Sequence, residues 1–215
     1  LMSGTIDRVD ICENDTDVYV RIIDYKTGKK DFNIVKTYYG IDIQLMVYME
    51  AAMKLVAKMR PGKNVLPAGV FYYNISDPIV SATNESAEEI EDKIKGELRL
   101  KGMVNSDKDI AEKMDNTEGT SLNIPVSRKA DGGFDSRRSK VMNTEQFNML
   151  GRFVDVRAID TADRIAGGDI RRSPYKDGQF SSCDRCPYGA VCGFSVDLPG
   201  CNYRKLKKFD DEVLW

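Results

Sequence analysis

The chain has 215 residues, enough for one domain with a sizeable buried core. Its 32 Lys and Arg stand against 34 Asp and Glu, a net charge of −2. That excludes a chain-wide basic field, so contact with a polyanion must come from local patches. No signal peptide is evident and no apolar run approaches the roughly 20 residues that span a bilayer, so the expectation is a cytoplasmic protein with no membrane partner.

In chain order, two runs with strand composition come first, around Thr5, Ile6, Val9 and Ile11, and around Val18, Tyr19, Val20, Ile22 and Ile23. The intervening CENDTD has turn chemistry, so the pair is predicted to be a hairpin. Residues two apart on a strand share a face, which places Asp24 and Lys26 side by side at the end of the second run. Asp7, on the neighbouring run, adds a second carboxylate. Two carboxylates are hard oxygen ligands suited to Mg²⁺ or Mn²⁺, and an adjacent ammonium can orient an attacking water or stabilise developing negative charge. A lone D-x-K is usually a pair of surface charges, but here it closes an apolar strand beside a second acidic one. Asp10 is a weaker ligand candidate, because three residues from Asp7 puts it on the opposite face.

Val35 to about Met59 is predicted to be one helix, with Tyr39, Ile41, Leu45, Ala52, Leu55 and Val56 on its apolar side. Gln44 and Tyr48 are four apart and share a face that can reach back to the hairpin end. Taken singly, Gln44 is an ordinary surface residue and Tyr48 an ordinary half-buried one. Pro61–Pro67 reads as a loop and Ala68–Ile75 as a buried strand, its Tyr72 and Tyr73 more suited to core packing than to stacking on bases. Ser86 to Leu100 is an amphipathic helix with a capping box at Ser86 and Glu89, ended by Lys101 and Gly102, and a short helix follows at Asp107–Met114. Ser121–Ser127 suits an edge strand. Arg128, Lys129, Arg137, Arg138 and Lys140 surround a Gly-Gly turn, slightly better read as a solvated loop than as a phosphate-binding one. Asn143 to Ala166 is a long helix with Asn143 and Gln146 at its start.

The tail carries Cys183, Cys186 and Cys192 in C-x2-C-x5-C spacing. Closely spaced thiolates can share an iron–sulfur cluster or zinc, whereas a disulfide is disfavoured in a reducing compartment. Cys201 either completes a local four-cysteine site or has no role in one, and Cys12 is an ordinary thiol.

Taken together, GTIDRVD, IIDYKTG and QLMVY resemble the PD-(D/E)XK nucleases of the RecB type. The closer likeness is to the C-terminal nuclease domain of the AddB family, and it extends through YYGIDIQLMVYMEAA, PAGVFYYNISDPIV, LKGMVNSD and the cysteine-rich tail. The resemblance implies an α/β, restriction-endonuclease-like mixed sheet flanked by helices, with a nuclease core over 1–180 and a cysteine-rich tail over 181–215 packed on it. It implies Asp7 and Asp24 as metal-binding acids, Lys26 as the motif lysine, and Gln44 and Tyr48 as the accessory pair. It further implies a [4Fe–4S] cluster on Cys183, Cys186 and Cys192 with a fourth cysteine upstream, and an AddA-type helicase–nuclease partner acting with it on DNA. The family's further motif helix precedes the first strand, whereas this sequence opens at Leu1, so the chain is expected to be a fragment lacking that helix. Two other classes stay open: a non-catalytic DNA-end-binding module and an iron–sulfur scaffold.

Overall fold

Residues 3–81 and 84–207 are described by a computed structural model. The hairpin forms, but later than its composition suggests: β1 is Arg8–Glu13 and β2 is Asp17–Lys26, so Asp7 lies just ahead of its strand. The expected single helix over 35–59 is two. α1 covers Ile34–Tyr38 and α2 covers Gln44–Met59. Gly40, at φ 74°, turns the chain between them in a conformation that residues with a Cβ seldom adopt. That break makes Gln44 the first residue of α2.

β3 (Asn64–Asn74) begins inside the expected loop and takes Pro67 into the strand. α3 (Ala87–Leu98) has the expected capping box, Ser86 Oγ accepting from Glu89 N while Glu89 accepts from Ser86 N. β4 (Lys101–Asn105) replaces the expected helix end. Gly102 stands opposite Phe71 of β3, where an added Cβ would lie 1.9 Å from Val70 O, so close pairing here needs glycine. α4 covers Lys108–Met114, β5 Val141–Met142 and α5 Thr144–Ala166, the last begun by reciprocal bonds between Asn143 and Gln146. The expected strand at 121–127 is not formed; that segment is a turn with one bridge, Thr120 to Ser127.

The first five strands make one mixed sheet in the order β1-β2-β3-β4-β5, in which β1–β2 and β3–β4 are antiparallel while β2–β3 and β4–β5 are parallel. On one face, Val20 and Ile22 of β2 and Val70 of β3 are buried beneath α2, which contributes Leu45, Met46, Met49, Ala52 and Val56. The other face packs Ile23 and Phe71 with Val104, Ala111, Ile124 and Val126. α5 meets α2 at Gly151, where the Glu50 carboxylate fills the space a side chain would take, and Phe153 stacks on Tyr38 with centroids 5.3 Å apart.

The chain divides into two compact units, 1–155 and 156–215, a boundary inside α5 and earlier than the 180/181 division expected from the sequence. The second unit contains a small sheet of β6 (Tyr175–Asp177), β7 (Phe180–Ser181) and β8 (Arg204–Lys205), in the order β7-β6-β8, and the short α6 (Gly189–Cys192). Residues 208–215 of the expected tail lie outside the described residues. Among those described, no helix is long and apolar enough to cross a membrane.

Asp115 fastens the irregular segment after α4. Its carboxylate accepts from Thr117 N at 2.7 Å, Ser121 Oγ at 2.7 Å and Asn123 Nδ2 at 2.9 Å. Burial would push this carboxyl up, but the donors outweigh it and hold it at about 2, below the ordinary 3.8. A carboxylate depressed on folding contributes stability above its unfolded value and loses it as pH falls through the folded one. Asp115→Asn should therefore lower stability by about 1–3 kcal/mol near neutrality. The difference should shrink as pH falls toward 2, as urea unfolding across a pH series would show.

Candidate active site

β2 is the central carrier of the site. Its even-numbered residues face α2, so Asp24 and Lys26 stand on the same side, next to the start of that helix. Asp24 is buried, 2% exposed. Lys26 Nζ lies 2.5 Å from Asp24 Oδ2, an ion pair. Lys26 Nζ also donates to Gln44 Oε1 at 3.1 Å, and Gln44 Nε2 donates to the Tyr48 hydroxyl at 3.0 Å. Gly4 passes over the Tyr48 ring, close enough that a Cβ there would be 3.8 Å from it.

Asp7 reaches the same place from the edge. The β1–β2 register pairs Arg8 with Ile23, so one step further Asp7 falls opposite Asp24. Its Oδ2 accepts from Tyr25 N at 2.9 Å, which fixes the carboxylate against β2 while the residue stays exposed. Asp24, Lys26, Gln44 and Tyr48 are thus linked in a row from the end of β2 to the start of α2, and Asp7, just ahead of β1, comes alongside through its bond to Tyr25 N. Asp10 goes elsewhere, as its position in the strand requires: it pairs with Arg8 at 2.8 Å and Arg21 at 2.5 Å on the other face.

The donor set fits a divalent cation. Asp24 offers a buried carboxylate whose charge is shared with Lys26, and Asp7 opposite it offers a second, solvent-open one, so two hard oxygen donors stand at one strand end. Two carboxylates with the remaining positions left to water and substrate is the arrangement Mg²⁺ favours. Among the described residues, no three His, Cys, Asp or Glu side chains converge as a metal-binding group.

A second buried network adjoins the first and has no motif to reveal it. Tyr72, across the ladder from Asp24, donates its hydroxyl to Asp42 Oδ1 at 2.9 Å. Lys30 Nζ pairs with Asp42 Oδ2 at 2.9 Å. The ammonium groups of Lys26 and Lys30 lie 5.7 Å and 5.6 Å from the centre of the Tyr72 ring. Burial, then the nearby Asp42 charge, pushes the Tyr72 hydroxyl well above its ordinary value, so it stays a donor. Lys30, Asp42, Gln44 and Tyr48 line a cleft of about 850 Å³ beside the site.

Two of the five basic loop residues are used for structure. Arg128 donates to Thr117 O at 2.8 Å and Asp115 O at 2.5 Å, and Lys140 pairs with Asp31. In the second unit, Cys183 and Cys186 share a turn closed by a Cys186 N to Cys183 O bond of 3.1 Å, and Cys192 ends α6. These thiols, Cys201 and Cys12 are all free.

A mixed sheet that brings Asp7, Asp24 and Lys26 together at one strand end defines a class of nuclease, and the chain belongs to the PD-(D/E)XK nuclease superfamily, which it matches over residues 1–193. Within that class it is similar to the B-type subunit of the ATP-dependent helicase/deoxyribonuclease of Clostridium acetobutylicum, 38% identical over 217 residues covering 100% of this chain and 19% of that protein. The proteins of the same description from Thermoanaerobacter sp. (strain X514) and Lachnoclostridium phytofermentans are each 37% identical, over 99% and 100% of the chain and 18% and 19% of their own lengths. The chain therefore spans about a fifth of the curated relatives it matches.

Tyr72→Phe removes only the hydroxyl and leaves buried Asp42 short of one donor. A loss of about 1–3 kcal/mol in urea unfolding at neutral pH is expected; an unchanged midpoint would show that the bond to Asp42 contributes nothing.

Proposed function

We propose that this chain hydrolyses DNA phosphodiester bonds as the nuclease domain of a bacterial helicase–nuclease subunit that processes double-strand breaks for recombinational repair. The observation that carries the reading is the buried Asp24 carboxylate opposite Asp7, with Lys26 held against it by an ion pair and by Gln44. Asp7 and Asp24 are the residues that would hold Mg²⁺ or Mn²⁺. When bound, the metal lowers the pKa of a water and polarises the phosphate. Asp24 and Gln44 hold the Lys26 ammonium in place, so its charge is available to the phosphate oxygens without reorganisation as negative charge builds on them. Tyr48 orients the Gln44 amide, so the lysine is fixed through two successive contacts.

The relatives' description supports an ATP-dependent assembly acting on DNA, and the resemblance supports an AddA-type helicase–nuclease partner, exonucleolytic action on an unwound strand, and a cytoplasmic setting. Cys183, Cys186 and Cys192 supply three thiolates to a [4Fe–4S] cluster in this reading, with the fourth cysteine outside this chain. Their C-x2-C-x5-C spacing supports it.

Asp24→Asn and Lys26→Ala should each lower the rate of linear-DNA cleavage in Mg²⁺ by about 10²–10³-fold or more, the scale of losing a charge stabiliser. The circular dichroism of the variants should be unchanged. Cleavage at the unaltered rate in both would remove these residues from the mechanism and the nuclease assignment with them.

A further inference from the structure

The residues of β2 that alternate with Asp24 and Lys26 build a different surface. Arg21, Ile23 and Tyr25 point to the opposite face of the sheet. Tyr73 stands across the ladder from Tyr25, and the two rings meet edge to face with centroids 5.7 Å apart. With Arg8 of β1, Lys95 of α3 and Arg99 just beyond that helix, they line a groove of about 540 Å³ that also has three leucines in its wall.

The four cations of the groove, Arg8, Arg21, Lys95 and Arg99, are met by two paired acids, Glu91 on Lys95 at 2.8 Å and Asp10 on the hairpin arginines. Asp10 is shared between two guanidinium groups, accepting from Arg8 Nε at 2.8 Å and from Arg21 at 2.5 Å. One carboxylate balances only one of them. Arg8 also approaches the Tyr25 hydroxyl at 3.5 Å, tying cation to ring. Arg99 donates one terminal nitrogen to Ser121 O at 3.3 Å, while its Nε is buried with no hydrogen-bond partner. Arg99 is the one arginine of the groove with no carboxylate partner among the described residues, so its charge is left for an anion to balance.

We propose that this groove binds a single strand of DNA on the far side of the hairpin from Asp24 and Lys26. Phosphate oxygens are the acceptors: guanidinium groups suit them, and Arg99 together with the two arginines that share Asp10 leaves charge for a phosphate backbone to balance. Tyr25 is 37% exposed and offers a ring on which any base can stack, which makes the site indifferent to sequence. A volume within the roughly 300–1,000 Å³ of ligand pockets suits nucleotides of one strand and not a whole duplex. The consequence for catalysis comes from Tyr25 itself. It sits between Asp24 and Lys26 in the chain, and its backbone N–H fixes Asp7. A strand held against this side chain is therefore anchored on the same few residues that carry the proposed catalytic groups. The inference rests on the reading that the chain acts on DNA.

The test is binding of fluorescein-labelled oligothymidylate, followed by anisotropy at several salt concentrations with Ca²⁺ replacing Mg²⁺. The double variant Arg21→Gln/Arg99→Gln should raise Kd about tenfold and reduce the slope of log K against log salt by about 1.4, the value for two lost phosphate contacts on a single strand. An unchanged Kd and slope would overturn the groove. A second measurement needs no variant: oligothymidylate carrying 5-iodouracil, irradiated on the unaltered protein, should crosslink to Tyr25 or Tyr73. Crosslinks confined to other peptides would overturn it equally. The two readings separate cleanly. A protein that crosslinks through these tyrosines but never cleaves in Mg²⁺ or Mn²⁺ supports the groove and sinks the nuclease assignment. One that cleaves DNA while the double variant binds as tightly as the parent sinks the groove alone.

Discussion

A carboxylate buried at the end of an inner strand is the constraint around which this protein is arranged. Asp24 sits where neighbouring strand residues are apolar, and a lone charge there would be costly. Lys26, the next residue on the same face, supplies the counter-charge at 2.5 Å, but an ammonium on a four-carbon stem needs restraint of its own. Gln44 provides it and is in turn held by Tyr48. The chain of contacts works only because α2 begins at residue 44, and it begins there because Gly40 ends the preceding turn of helix.

The neighbouring Asp42 is handled by the same logic with different parts. It too is buried, and it too has a lysine, Lys30, at an ion-pair distance. Tyr72 joins the two pairs. Its hydroxyl serves Asp42 while both ammonium groups lie within 5.7 Å of its ring centre, so each lysine has an aspartate and the same aromatic ring as partners. Two lysines and three carboxylates, Asp7, Asp24 and Asp42, are thus gathered in one place, a locally negative site suited to a cation in a chain whose overall charge is close to balanced. Net charge said nothing about this local field, because the field depends on which few charged groups are fixed and where.

Strand alternation then separates two kinds of chemistry within a single segment. Asp24 and Lys26 face α2, whereas Tyr25 and Arg21 face the other way. The peptide N–H of Tyr25 lies in the plane between them and reaches Asp7. Asp10 illustrates the same rule from β1: three residues from Asp7, it joins the arginines and not the acids.

Much of this was legible in the chain itself. The hairpin, the shared face of Asp24 and Lys26, the i,i+4 relation of Gln44 and Tyr48, the capping box at Ser86 and the start of α5 at Asn143 all follow from local periodicity and hydrogen-bonding chemistry, which act over a few residues. What escaped has non-local causes. β4 looked like the frayed end of a helix, since only its pairing with β3 explains a strand at Lys101–Asn105 and a glycine at 102. Pro67 was read as loop, yet it lies within β3 beside the β2–β3 register shift. Lys30, Asp42 and Tyr72 carry no motif and are 42 positions apart at the extremes, and Arg8, Arg21 and Arg99 are as scattered. By itself, then, the sequence determined which residues have matching chemistry and which faces of their own strand or helix they occupy, because those depend on backbone geometry alone. Only the tertiary structure decided which charges meet and which are buried, because that depends on sheet pairing and on helix packing between segments remote along the chain.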